Sequence, residues 1–218
     1  MTPQMGLFFG SIAFVGTHFL MSHPLRAPLV RRMGTKGFQG FYSLVSIILF
    51  GIMIWSYHAI GRERQAWEPT EWAFGVGAML MWLGAILFTG SFVGNPALPG
   101  APGPRGGPKG VFAITRHPMM WGFALWAITH ILVVAQPKAI FFYGSIAILA
   151  LVGSYFQDRK KAGLMGDTWH EWTGQTAFIP FTRGAAYPGT FALVGGTLLY
   201  LVATWLHPLP VGVWRWIA

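Results

Sequence analysis

Cysteine is absent from the 218 residues. That excludes disulfides, zinc–thiolate sites, a thiolate haem ligand and covalent haem attachment through C-x-x-C-H. Charge is scarce: Asp, Glu, Lys and Arg make up 10% of the chain, where a soluble domain carries about 25%. Acid is scarcest, with six Asp and Glu in all, each outside the long apolar runs. No carboxylate is therefore at hand for an intramembrane proton relay, or to complete a zinc or non-haem iron site. G-x-G-x-x-G and P-loop patterns are missing, and no internal repeat stands out.

What is present is apolar. Hydrophobic residues make up 54% of the chain, including eleven Trp and eighteen Phe. A membrane helix needs about 20 mainly apolar residues. Six stretches qualify: Met5 to Met21, Phe41 to Ile60, Trp72 to Val93, Met119 to Ala135, Ile140 to Phe156, and Gly189 to Leu206. The expected fold is all-α, a polytopic membrane helix bundle of about six transmembrane helices, with residues 1–218 as a single integral membrane domain. No Lys or Arg precedes the first stretch, which makes it a poor signal peptide and predicts that it stays as a helix.

The net charge of +9 would point to nucleic acid in a soluble protein. Here topology accounts for it, and no nucleic-acid partner is expected. Loop one holds Arg26, Arg31, Arg32 and Lys36, loop three Arg105, Lys109 and Arg116, and loop five Arg159, Lys160, Lys161 and Arg183. Those three loops carry eleven of the fifteen basic residues. The positive-inside rule puts them in the cytoplasm, with both termini outside, in what would be a bacterial inner membrane.

Loop three, NPALPGAPGPRGGPKG, is rich in Pro and Gly and reads as a mobile linker; a lid over the start of span four is the sharper alternative. Loop five, QDRKKAGLMGDTWHEWTGQTAFIPF, predicts a short amphipathic helix at the interface, its Trp169 and Trp172 rings at headgroup level.

Of the seven histidines, only His18 and His130 sit within apolar stretches. His130 shares a helix face with Ala127, Trp126, Phe123 and Gly122, and His18 with Val15, Phe14, Ser11 and Gly10. Small residues beside an imidazole leave room for a flat apolar object, and aromatics pack against it. On the residues alone, hydrogen-bonded structural histidines are the simplest account. Among cofactors haem b suits best, because it needs only one or two axial imidazoles and a large apolar cavity.

The segments THFLMSHPLR (17–26), FYSLVSIILF (41–50), TRHPMMWGFALWAITH (115–130), GDTWHEWTGQTAFIPF (166–181) and LHPL (206–209) resemble the NnrU family of membrane proteins. That family is associated with nitrite and nitric oxide reduction genes and is related to the 15-cis-zeta-carotene isomerase. The resemblance implies haem b, with His18 and His130 matching the isomerase's axial histidines, and His117 of the Arg116–His117–Pro118 element in reserve. Phe14, Phe123 and Trp126 would line the cofactor, and Arg116 could meet its propionates. The implied reaction is a redox-dependent cis–trans isomerisation of a lipophilic polyene such as a carotenoid, with His18 and His130 at the catalytic iron. One departure matters: the isomerase has a cysteine three residues before its second histidine, where this chain has Ala127. Ligand switching through that residue is excluded.

Two other readings stand beside it. One is a non-catalytic haem protein or an accessory to denitrification. The other follows from RHPMMWG, which is similar to the RHPxYxG element of isoprenylcysteine carboxyl methyltransferases, which use S-adenosylmethionine. Here Met120 replaces the tyrosine, and Asp158-Arg159-Lys160-Lys161 stands where those enzymes tend to carry glutamates. Counting residues from the span ends puts His18 and His130 roughly 10 Å apart in depth at ~1.5 Å per residue, more than two ligands of an upright haem should differ. Span ends set differently, tilted helices, an inclined haem, or His117 in place of His130 would each remove the mismatch.

Overall fold

The computed structural model describes residues 1–98 and 100–217. It is all-helical among those residues. The first helix, α1 (Pro3–Ser22), starts at Thr2, whose hydroxyl accepts from the Met5 N–H, with Pro3 in the first turn. The remaining helices are α2 (Arg26–Ala59), α3 (Glu71–Gly90), α4 (Val111–Ile114), α5 (Pro118–Val134), α6 (Pro137–Met165), α7 (Asp167–Gln175) and α8 (Thr190–Trp205). A 3-10 turn over Gly212–Trp216 follows.

Helices α1, α2, α3 and α6 are long and apolar enough to cross a membrane; α5 and α8 are apolar but shorter. Each of the six expected stretches lies mainly on one of these helices, and two of them run further. Loop one is mostly helix: α2 begins at Arg26 and carries Arg31, Arg32 and Lys36 before its apolar part, with a break at Gly34 (φ 71°). Arg, Lys and Gln are good helix formers, and a glycine at positive φ re-aims the chain without steric cost. Likewise α6 continues through the basic run to Met165, and the chain turns at Gly166 (φ 54°) into α7.

The expected helix in loop five is therefore present as α7, but its tryptophans differ from expectation. Trp169 and Trp172 are 1% and 6% exposed and pack with Val111, Phe112, Ile114 and Leu87. They fill the core under the loops, packed against protein and not exposed on the surface of α7. The start of that loop is also less free than a linker: Lys161 Nζ donates to the Pro96 carbonyl at 3.2 Å and Gln157 Nε2 to that of Ala97 at 3.3 Å.

The apolar helices pack in the order α2, α1, α6, α5, α3, α8. This is an arc, since its end members α2 and α8 share no extensive packing among the described residues. Glycines let the helices approach: a Cβ on Gly196 would lie 2.5 Å from the Ile86 Cα, and one on Gly122 would lie 2.9 Å from the Gly84 carbonyl oxygen. Loops one, three and five share one end of the bundle, where His23 meets Phe156 and the loop-three backbone meets α6. Loop two, loop four and the C-terminus share the other end. There Ala66 N–H donates to the Ala135 carbonyl, and Arg215 pairs with Glu71 at 2.7 Å.

Candidate functional site

The concave side of the arc encloses a cavity of about 800 Å³. A typical small-molecule site is ~300–1,000 Å³. All six apolar helices contribute to its wall, which is mostly aromatic and aliphatic: Phe14 and Phe19 from α1, Phe50 from α2, Phe88 from α3, Phe123 and Trp126 from α5. Ile47 of α2 and Leu199 of α8 line it too and are also exposed. They form the lips of a side opening between the two ends of the arc.

His18 lies on this wall. Its Nδ1 is 2.6 Å from the Phe14 carbonyl one turn back. A carbonyl only accepts, so Nδ1 carries the proton and Nε2 keeps its lone pair. That is the tautomer a metal-binding imidazole needs, fixed by the kind of backbone bond that commonly orients metal-ligating histidines. Ser46 Oγ stands 3.3 Å from Nε2. Phe14 and Tyr42 hold the ring at 4.4 and 5.2 Å.

His130 repeats the arrangement on α5, with Nδ1 2.7 Å from the Trp126 carbonyl. Its ring stacks on Tyr143 at 4.7 Å and 29°, and packs on Trp126 at 4.7 Å. Trp126 belongs to the cavity wall, and His130 itself does not. The depth mismatch persists. Phe19, next to His18, reaches Gly153 of α6, whereas His130 sits on Tyr143; those levels are ~15 Å apart along α6 at ~1.5 Å per residue. Ala127, in the position of the isomerase cysteine, is wholly buried.

His117 and Arg116 are built into a different cluster. Asp158 accepts from His117 Nε2 at 2.9 Å and from Arg116 Nε at 2.8 Å. Arg116 also donates to the Thr176 carbonyl and lies over the Phe178 ring. Thr115 Oγ1 and Trp121 Nε1 both donate to the Phe178 carbonyl. The cluster ties the start of α5 to the end of α6 and to the strap that follows α7. Neither His117 nor Arg116 lines the large cavity. Among the described residues His117 Nδ1 is buried without a partner, and His117 lines a void of about 30 Å³ with Asn95 and Gln157, room for one water. With its charges mutually satisfied, the pair has little left with which to hold a cofactor carboxylate, which weighs against the methyltransferase alternative.

Asp158 is the residue that sequence reasoning passed over. It opens a basic run, Asp158-Arg159-Lys160-Lys161, yet a lone acid on the turn just past an apolar stretch, with an Arg–His pair at the neighbouring boundary, is a signal for such a cluster.

The NnrU protein family model matches residues 6–215. The chain belongs to the NnrU family. No curated protein and no solved structure matches it. The NnrU match spans all six apolar helices and both histidine-bearing turns, so the cavity is part of the family's domain and not an appendage to it.

Proposed function

We propose that this NnrU-family protein binds haem b in the arc cavity, with His18 as axial ligand, and acts on a lipophilic polyene that enters through the side opening. The observation that carries the reading is His18: an imidazole on the wall of a large apolar cavity, its Nδ1 proton committed to the Phe14 carbonyl and its Nε2 met only by the Ser46 hydroxyl at 3.3 Å, which already has the Tyr42 carbonyl as a shorter acceptor. The residues fit the group in a second respect, since the flanking Phe and Trp side chains offer flat apolar faces. His130 carries the same Nδ1 bond and would be a second ligand only if α5 shifted relative to α1 as well as Trp126 turning, since its level lies ~15 Å from that of His18 along α6 at ~1.5 Å per residue.

Haem iron held by a single imidazole would, when reduced, supply an open-shell centre with a free position beside a conjugated chain whose twisted form is already lowered in energy by delocalisation. The chain's own residues do the rest. His18 sets the ligand field. Phe14, Phe50 and Phe123 exclude water and hold a flat hydrocarbon. The opening between Ile47 and Leu199 allows a substrate longer than the cavity to extend into lipid. Six membrane crossings, with the basic loops in the cytoplasm, complete the proposal.

The test is spectroscopic first. Protein purified in detergent should show a Soret band. His18→Ala should remove it or shift it strongly, and His130→Ala should keep the pigment. A wild-type spectrum from both variants overturns the ligand assignment. Dithionite-reduced protein is then incubated with a cis-polyene and the isomers separated by chromatography; conversion no faster than with free haem leaves a non-catalytic haem protein.

A further inference from the structure

One end of the cavity departs from its apolar character. Lys160 and His23 both line it, at the bundle end shared by loops one, three and five. His23 follows α1 directly and its ring lies 4.9 Å from that of Phe156. Arg26 and Lys161 add positive charge around Lys160. Among the described residues Lys160 makes no ion pair, whereas Lys161, the next residue, is spent on the Pro96 carbonyl. Asp158, the acid on the same stretch of α6, already holds Arg116 and His117. Burial, and then the neighbouring Lys160 cation, pull the His23 imidazole below its ordinary value, which favours its neutral form. The cavity therefore has a cationic, donor-bearing mouth without a matching acid, and its body is hydrocarbon.

We propose that Lys160, with His23 beside it, is an anion subsite, so that the cavity's ligand is an amphiphile whose carboxylates lie at this end while its apolar body lies among Phe14, Phe50 and Phe88. This deepens the haem reading and in that form rests on it: the carboxylates are the porphyrin's propionates, and the subsite fixes which edge of the macrocycle faces the basic loops. A half-buried ammonium with an imidazole donor beside it gives charge-assisted hydrogen bonds to a carboxylate that no uncharged ester can replace. Fatty acids and acidic lipids share the recognised group and are the other source of it.

The experiment compares ligands on the full chain, produced without porphyrin supplementation, by absorbance and intrinsic tryptophan quenching. Wild type should bind hemin about tenfold more tightly than hemin dimethyl ester. Lys160→Gln should reduce that ratio to near one while leaving the diester's affinity unchanged, which also shows that the variant is folded. Equal wild-type affinity for hemin and its diester overturns the subsite and leaves the haem reading standing. If neither porphyrin binds, the haem reading falls, and oleic acid against methyl oleate decides the subsite. A Lys160-dependent preference for the acid upholds it, and no preference overturns it.

Discussion

A single carboxylate, Asp158, shows how much one residue can hold in an apolar bundle. It accepts from Arg116 and from His117, whose side chain is fully buried. Removing one partner of such a cluster leaves the others desolvated and uncompensated, which typically costs about 3–5 kcal/mol. Asp158→Asn should therefore lower the thermal unfolding midpoint in detergent markedly. Glu68→Gln, at an exposed loop-two carboxylate, should leave it in place. A midpoint for Asp158→Asn equal to that of wild type would mean the cluster carries no net stability. At this scale the sequence was informative about position and less so about partnership. Scarcity of charge singles out every polar residue near an apolar run, and His18 and His130 emerge that way. Which polar groups meet depends on helix neighbours, and the pairing of Arg116 and His117 with Asp158 spans some forty positions of chain.

Helices in this protein are specified by long apolar runs and bounded by Pro, Thr and Gly, which is why the apolar stretches were readable. Their ends were harder, because charged residues such as Arg31 and Lys160 extend a helix readily once tertiary contacts hold it. Trp169 and Trp172 were placed at the lipid interface on composition, yet α7 turns them into the core; amphipathicity alone does not say which apolar surface a helix will cover. Helix proximity can be tested through glycine. Gly196→Ala puts a methyl 2.5 Å from the Ile86 Cα, where neither backbone can yield, and Gly75→Ala meets nothing within 4 Å. Overpacking of this kind costs about 1–3 kcal/mol. Gly196→Ala should thus reduce folded yield and the unfolding midpoint, with Gly75→Ala as the silent control. The Pro-rich loop gives the opposite expectation. Residues 101–107 have no regular structure, and the hydrogen bonds that α6 donates to this loop end at Ala97. With haem bound as proposed, their deletion should leave the Soret band of the purified protein unchanged.

The whole molecule is an open arc with a basic end, and those two features belong together if the protein sits in a bilayer with that end facing the cytoplasm. Loops one, three and five share one end of the bundle, as alternating crossings require, and they hold most of the Lys and Arg. On the proposed topology, the positive-inside rule points the cavity's cationic mouth towards the cytoplasm. A ligand with an anionic edge made in the cytoplasm would meet Lys160 from its own side of the membrane, and an apolar one would arrive sideways between α2 and α8. The absence of native cysteine makes this orientation directly measurable, since any introduced thiol is unique. Arg105→Cys and Arg64→Cys place one on an exposed part of loop three and one on the partly exposed loop two. A membrane-impermeant maleimide applied to spheroplasts should label the cysteine at position 64 and spare the one at 105, and inside-out vesicles should reverse the pattern. Labelling of position 105 from outside would invert the bundle and turn Lys160 towards the periplasmic face. Labelling of both positions from one side would break the alternation itself, and with it the count of six crossings.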